Sequence, residues 1–293
     1  MIMIIFVHSI NEYAIYTGTF SKVMLIPHYG ILGCTLFFFM SGYGLNSSLT
    51  LYKGSKIKYL YRHLLKLVIP FAISFAITAC LLSLPYLKDI SNEIKNIFIL
   101  SMPDGTDMWF LKAIIIFYII TVALFITSNN NKTRSIILLI LCLAVIAIFN
   151  SKNLPGHWYF SILSFPLGFW MQKAAINKKA IRKILAFSIL TFAIYYVLTL
   201  IFNLRVCLEL FGNIAFAFII VIVVSMFAKG FNSKILIYIG KNSLLFYIFN
   251  IPVMLAIPSH TMHWITYFFL NLIITQLVIM VYLPISNRIL KSF

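Results

Sequence analysis

The chain alternates apolar runs with short polar connections, a pattern that predicts membrane-spanning helices. A helix needs about 20 mostly apolar residues to cross the hydrocarbon core of a bilayer. Ten runs approach or reach this length, and the first, fifth and sixth are the shortest. In chain order they are residues 1–10, 30–49, 64–87, 108–126, 135–149, 159–171, 184–202, 210–228, 236–257 and 263–285. We therefore expect an all-α, polytopic integral membrane protein, a helical bundle with about ten transmembrane helices.

The connections between the runs are polar sequences that favour turns. Residues 128–132 read Ser-Asn-Asn-Asn-Lys, and residues 150–156 read Asn-Ser-Lys-Asn-Leu-Pro-Gly. Such clusters separate periodic segments. Because no polar domain, linker or internal repeat is visible, we interpret residues 1–293 as a single membrane domain.

The basic residues predict how the spans are oriented. Cytoplasmic loops of membrane proteins carry an excess of Lys and Arg. With the first residue in the cytoplasm, 17 of the 23 basic residues fall on the inner side. The predicted outer side holds the other six, Lys22, Lys88, Lys95, Lys112, Lys152 and Arg205, and all six acids, Glu12, Asp89, Glu93, Asp104, Asp107 and Glu209. We therefore expect both termini in the cytoplasm and a multi-pass protein of the cell (inner) membrane.

Composition excludes a nucleic-acid-binding protein, which the net charge alone would allow. The net charge is +17, which is typical of nucleic-acid-binding proteins, but 62% of the residues are hydrophobic, only 10% are charged and the mean hydropathy is +1.01. The basic residues lie in short clusters between apolar runs, so we expect a lipid bilayer as partner and no nucleic acid. The four cysteines are scattered without metal-ligand spacing, so no metal is expected.

His8 is the first candidate for chemistry, because it lies inside the apolar run 1–10. An ionisable side chain at membrane depth marks a functional site by default. Imidazole titrates near neutral pH and accepts a proton from a hydroxyl group, so His8 is a candidate general base. Glu12 follows four residues later and would orient the ring from the same helical face. The structural alternatives are a packing histidine and a solvated acid at a helix end.

A basic stretch that leads into the third run is the second candidate. Arg62 and Lys66 are four residues apart and would share one helical face at the cytoplasmic boundary, with Lys58 earlier in the same stretch. Arginine binds phosphate with two hydrogen bonds and lysine binds it as a point charge. The alternative is ordinary anchoring by positive residues on the inner side.

Five short sequences, taken in order, carry a family resemblance. They are Val7-His8-Ser9, the Phe-Phe-Phe-Met-Ser-Gly-Tyr-Gly sequence of residues 37–44, Val68-Ile69-Pro70-Phe71, Trp109-Phe110-Leu111, and Ile239-Gly240-Lys241-Asn242-Ser243 leading to Tyr247. With ten spans and an inner amino terminus, this order resembles the acyltransferase-3 family. Its members are integral membrane enzymes that acylate cell-surface carbohydrates and related acceptors.

The resemblance implies a reaction and the residues for it. An acyl group, usually acetyl from cytoplasmic acetyl-CoA, would be transferred to a glycan hydroxyl, with acyl-CoA as a substrate and no bound cofactor. His8 matches the family's essential histidine, and Arg62, His63 and Lys66 match its paired arginines with one arginine replaced. Tyr43, Ser243 and Asn250 would line the substrate cavity, and Asn250 stands where many members have histidine.

Two alternatives to an active enzyme remain open at this point. One is a non-enzymatic flippase or transporter of glycan export, although the repeat symmetry and matching broken segments of transporters are not visible. The other is an inactive, truncated member of the family, since the arginine that members carry before the essential histidine has no counterpart in the seven residues ahead of His8.

Overall fold

The chain is helical in each segment that the computed structural model describes, namely residues 4–10, 27–82, 108–172, 178–202, 206–227, 234–257 and 262–291. Helix α1 covers residues 4–10. The longer helices are α2 Pro27–Leu51, α3 Lys56–Leu81, α4 Trp109–Thr127, α5 Asn131–Ser151, α6 Ser164–Met171, α7 Lys178–Phe202, α8 Val206–Phe227, α9 Lys234–Lys241, α10 Ser243–Ala256 and α11 Trp264–Lys291. No strand occurs in these segments, so the all-α prediction is confirmed for the described chain.

Five of the described helices are long and apolar enough to cross a membrane. They are α3, α4, α5, the Ile181–Leu198 part of α7 and the Trp264–Ser286 part of α11, while α8 and α10 contain shorter apolar stretches. Their surfaces are also apolar, as Phe187 on α7 and Ile140 on α5 are 71% and 58% exposed. Large exposed apolar surfaces are suited to contact with lipid. The helices therefore belong to a membrane protein.

Helix α5 is longer than its apolar run predicted. The Asn130 side chain accepts a hydrogen bond of 2.9 Å from the backbone N–H of Lys132 and so caps the helix. This capping starts the helix before the apolar residues begin, and the helix reaches 21 residues, Asn131–Ser151. The fifth span is therefore of full membrane length.

A continuous helix over residues 159–171, the sixth predicted span, is wrong. The α-helix covers only Ser164–Met171, which corresponds to a rise of about 12 Å. Pro166 has no backbone N–H to donate to the Ile162 carbonyl, so a helix running through from residue 159 would be broken there. In the structure Pro166 lies in the first turn of α6, where a missing N–H is tolerated.

The ninth predicted span, residues 236–257, forms two helices instead of one. Asn242 separates α9 from α10 and has a ψ of 10°, outside the helical range. Its side-chain amide donates to the Tyr238 carbonyl at 3.0 Å and its backbone N–H donates to the same oxygen at 3.1 Å. The backbone bond is the last regular bond of α9, and the side-chain amide competes for its acceptor. Together with the non-helical ψ of Asn242 this ends α9.

The described chain clusters into two compact units, and the first carries α1 and α9–α11 with most of α3. It consists of Met1–Gly30, Ile57–Ile119 and Ile235–Phe293. Its core is a cluster of buried side chains from α1, α10 and α11, with Ile69 and Ile73 of α3 packed against it. The members of this core cluster are Ile5, Phe246, Phe249, Ile279 and Tyr282.

The second unit consists of Ile31–Lys56 and Ile120–Lys234, and in it α2 crosses α6 at very short distance. A Cβ atom added to Gly42 would lie 2.1 Å from the Phe165 carbonyl oxygen, and one added to Gly168 would lie 1.9 Å from that of Phe39. Small residues allow such close backbone approach in membrane proteins. The Asn46 amide also donates to the Phe169 carbonyl at 2.6 Å.

Two cations of the second unit lie over one aromatic ring. The Arg134 guanidinium carbon lies 3.7 Å from the centre of the Phe125 ring, and Lys56 Nζ lies 5.9 Å from it. Arg134 donates to the Ser128 carbonyl after α4, and Lys56 donates to the Leu49 carbonyl at the end of α2. Cations at helix C-termini stabilise the carbonyl groups there. These two charges therefore cap helices in addition to contributing to the charge bias.

Candidate functional site

The helix that carries His8, α1, is anchored by apolar residues near His8. Ile5 is fully buried in the core cluster of the first unit. Phe6 packs edge-to-face on Trp264 and on Phe268, with ring centres 5.7 Å apart in both pairs. The His8 side chain is partly exposed, whereas Val7 and Ser9 on either side of it are buried. The predicted base is therefore carried by a helix that is anchored to α10 and α11.

Glu12, the predicted partner of His8, lies outside the described residues. How its carboxylate relates to the imidazole ring stays a prediction. His260 also lies outside them, whereas His263 is exposed and packs on Trp264 with ring centres 5.7 Å apart. His263 therefore has an aromatic neighbour at the start of α11.

The predicted phosphate-binding residues form one exposed stripe at the start of α3. Lys58, Arg62 and Lys66 are all exposed and follow one another at intervals of four residues. At 3.6 residues per turn they lie on the same face as Ile69 and Ile73. Those two isoleucines pack against the core cluster that contains Ile5. The stripe therefore continues along the helix into the surface that packs on the core cluster of the first unit.

The sequence predicts no separate role for His63, and in the structure this residue lies among aromatic rings. Its Nδ1 lies 2.8 Å from the Tyr59 carbonyl oxygen, and its ring stacks on the Tyr59 ring at 3.9 Å between centres. The Tyr118 ring of α4 meets it edge-on at 6.1 Å. His63 therefore packs α3 against α4 and is turned away from the face of Arg62 and Lys66 by about a quarter turn.

The predicted polar lining residues of α10 lie in the first unit. Ser243 is the first residue of α10 and is half-buried. Asn250 is 2% exposed, and its amide nitrogen lies 3.1 Å from the Met254 sulfur. Among the described residues its Oδ1 has no hydrogen-bonding partner. Asn250 thus presents a buried acceptor within a mostly apolar helix.

Tyr43, the third predicted lining residue, belongs to the second unit and is 41% exposed. Its neighbour Gly42 is the residue at which α2 touches α6. Part of the Phe-Phe-Phe-Met-Ser-Gly-Tyr-Gly sequence therefore serves helix packing. The same holds for Trp109-Phe110-Leu111, because Phe110 and Leu111 are buried and the Phe110 ring packs on Tyr247 at 5.2 Å.

Two further polar residues, which were not predicted from the sequence, are buried. Glu209 was expected in an outer loop, but it is buried in the first turn of α8, where the helix dipole favours a carboxylate. Asn271 is fully buried in α11, within the apolar run 263–285. The criterion that selected His8, a polar side chain at membrane depth, would have selected Asn271 as well.

The helices and their apolar surfaces define an integral membrane protein, and comparison with known families gives its class. The model of the acyltransferase-3 family, described as an acyltransferase domain, matches residues 1–284 of the 293. The chain therefore belongs to this family of membrane acyltransferases. Comparison with curated proteins and with solved structures gave no match.

Proposed function

We propose that this protein, located in the cytoplasmic membrane, transfers an acyl group from acyl-coenzyme A to a hydroxyl group of a glycan. The glycan is a cell-surface glycan or an exopolysaccharide. Acetyl is the acyl group that is usual in the family. The observation that carries the proposal is the core of the first unit. Ile5, three residues before His8, belongs to this core, and Ile69 and Ile73, which lie on the face of Arg62 and Lys66, pack against it.

His8 acts in this proposal as the general base. Its neutral imidazole takes the proton of the acceptor hydroxyl while the hydroxyl oxygen attacks the thioester carbonyl carbon. The carbon–sulfur bond then breaks, and the thiolate of coenzyme A leaves with the proton that the imidazolium returns. Glu12 would keep the ring in the orientation needed for both transfers.

The basic stripe on α3 holds the donor in this proposal. Coenzyme A carries phosphate groups, and Lys58, Arg62 and Lys66 offer three cations on one exposed face. Arginine forms paired hydrogen bonds to phosphate, and lysine adds compact charge. The donor's thioester end would extend along the Ile69 and Ile73 side of the helix, towards α1.

Two of the remaining predicted residues serve the acceptor side, and both lie on α10. Ser243 and Asn250 would offer polar groups to the acceptor, while the role of Tyr43 as a lining residue stays a prediction. Asn250 supports this assignment best, because a buried acceptor without a partner is unfavourable unless a ligand supplies the hydrogen bond.

The experiment that tests the function compares His8→Ala with His263→Ala in cells that make the acceptor glycan. Loss of a general base lowers the rate by about 10²–10⁴-fold. We expect NMR of the isolated glycans to show acyl groups with wild type and with His263→Ala, and none with His8→Ala at equal protein abundance in the membrane.

Two results would count against the proposal in different ways. Normal acylation with His8→Ala would remove His8 from the mechanism and leave the reaction class intact. No acylation with the wild-type chain, in a host shown to make the acceptor, would favour an inactive member of the family or a transport protein.

A further inference from the structure

Two buried asparagines of the first unit each have one amide atom without a hydrogen-bonding partner among the described residues. For Asn250 on α10 it is the acceptor Oδ1, and for Asn271 on α11 it is the donor Nδ2. The other amide atoms are occupied, since Asn250 Nδ2 lies 3.1 Å from the Met254 sulfur and Thr275 donates to Asn271 Oδ1 at 3.1 Å. One free acceptor and one free donor are thus buried on neighbouring helices.

Both asparagines lie in the same stretch of the interface between the antiparallel helices α10 and α11. At one end of this stretch the Tyr267 hydroxyl donates to the Met254 carbonyl at 3.2 Å. At the other end the Phe249 and Tyr282 rings pack with centres 5.1 Å apart. Asn250 precedes Met254 by four residues and Asn271 follows Tyr267 by four. Each asparagine therefore lies about one helical turn from the Tyr267–Met254 hydrogen bond, on the side of the Phe249–Tyr282 ring pair.

Helix α1 packs against α11 and shares a core cluster with α10 and α11. Its Phe6 packs on Trp264 and Phe268, before Asn271 in α11, and its Ile5 belongs to the same core cluster as Ile279 and Tyr282, after it. His8 therefore belongs to a short helix that is packed on the two helices of the asparagines.

Unpaired buried amides are unfavourable. Burying a polar group without a hydrogen bond destabilises a protein, and the effect is larger in an apolar environment. The two free atoms are complementary, yet they do not hydrogen-bond each other in the structure. A bound molecule that offers one acceptor and one donor would satisfy both.

We propose that Asn250 and Asn271 together bind the reacting groups beside His8. Asn271 is thereby a further residue of the site. This inference rests on the proposed acyl transfer. Asn271 Nδ2 donates to the thioester carbonyl oxygen and stabilises the negative charge that develops on it when the hydroxyl attacks. Asn250 Oδ1 accepts from a neighbouring hydroxyl of the acceptor sugar. The charge is relieved when the carbon–sulfur bond breaks, and the amides exchange no proton.

The test compares Asn271→Leu with Gln276→Leu, which removes a paired amide from the same helix, since Gln276 Nε2 donates to the Tyr238 hydroxyl at 3.2 Å. Membrane vesicles supply the endogenous glycan, labelled acetyl-CoA is the donor, and the thermal midpoint of the purified protein is measured in parallel. Loss of one oxyanion donor lowers kcat by about 10²–10³-fold. We expect this loss for Asn271→Leu, with an unchanged KM for acetyl-CoA. Because Asn271→Leu also removes the acceptor of the Thr275 hydroxyl, its midpoint is compared with that of Thr275→Val, which loses the same hydrogen bond and keeps Nδ2. The midpoint of Asn271→Leu should be no lower than that of Thr275→Val. Gln276→Leu should keep the rate and lower the midpoint.

The midpoint gives an answer that does not depend on activity. A midpoint for Asn271→Leu below that of Thr275→Val would mean that Nδ2 has a structural partner of its own, and this overturns the inference whether or not acyl transfer is found. An unchanged transfer rate with Asn271→Leu would overturn it as well. Wild-type vesicles without any transfer would instead refute the proposed function.

Discussion

The Ser74 hydroxyl on α3 donates a buried hydrogen bond of 2.8 Å to the Ile248 carbonyl on α10, 174 residues away. Ile248 is four residues before Pro252, which lies inside α10 and has no N–H to give to that carbonyl. The serine therefore replaces the missing helical donor. Side chains that satisfy freed carbonyls in this way allow proline within membrane helices.

Replacing Ser74 with alanine should destabilise the protein, because the Ile248 carbonyl would be left buried without a donor. A buried group that loses its partner destabilises by about 1–3 kcal/mol. Thermal unfolding in detergent should show a lower midpoint for Ser74→Ala. Ser151→Ala is the control, since the Ser151 hydroxyl is exposed and donates within its own helix turn, to the Ile148 carbonyl. Equal midpoints for wild type and Ser74→Ala would show that Ile248 needs no donor from α3.

The crossing of α2 and α6 makes a second prediction, which uses two glycines of the same helix. Gly42→Ala would place a methyl group 2.1 Å from the Phe165 carbonyl oxygen, so the two backbones must separate. Overpacking of this kind destabilises by about 1–3 kcal/mol. Gly44→Ala is the matched control, because a methyl group there would meet no atom of another element within 4 Å. We expect a lower thermal midpoint for Gly42→Ala only, and equal effects of the two variants would contradict the close crossing.

Much of the helical layout follows from the length of the apolar runs. Residues 108–126 predicted α4 within one residue at each end, because Met108 precedes the helix and the polar residues 128–130 follow it. Single residues decide where this reasoning fails. Pro166 delays the start of α6, and Asn242 splits α9 from α10, although hydropathy changes little at either point.

The candidate site was predictable in its residue types and not in its packing. An imidazole in an apolar run and two cations on one helical face are visible in the sequence. The shared core of Ile5, Ile69 and Phe249 joins segments far apart in the chain, and no local pattern reports such pairing. The lack of a hydrogen-bonding partner for Asn271 Nδ2 among the described residues is likewise visible only when the hydrogen bonds of the surrounding side chains are known.

The membrane topology can be tested at residues 159–171, where the predicted continuous helix was wrong. Between residues 104 and 179 lie α4, α5 and the segment 159–171, so reporters fused after Asp104 and Lys179 report opposite sides only if that segment crosses the membrane. Its non-helical part is buried, and non-helical backbone is tolerated at membrane depth when protein surrounds it. We expect the Asp104 fusion outside and the Lys179 fusion inside. Both fusions on one side would mean that 159–171 re-enters without crossing, and would reverse the later predicted sides.

The basic stripe on α3 makes the last prediction, which separates donor binding from simple anchoring. Charge-assisted hydrogen bonds to phosphate are among the stronger polar contacts, so Arg62→Ala should weaken acetyl-CoA binding by about tenfold or more. Lys66→Ala should weaken it less, because lysine contacts phosphate as a point charge. Lys132→Ala is the control, since Lys132 is also exposed near a helix start and lies on the predicted inner side. Titration of the protein in nanodiscs at two salt concentrations measures the dissociation constants, and raised salt should weaken wild type more than Arg62→Ala. Equal affinities for wild type, Arg62→Ala and Lys132→Ala would reduce the stripe to an anchor at the membrane surface.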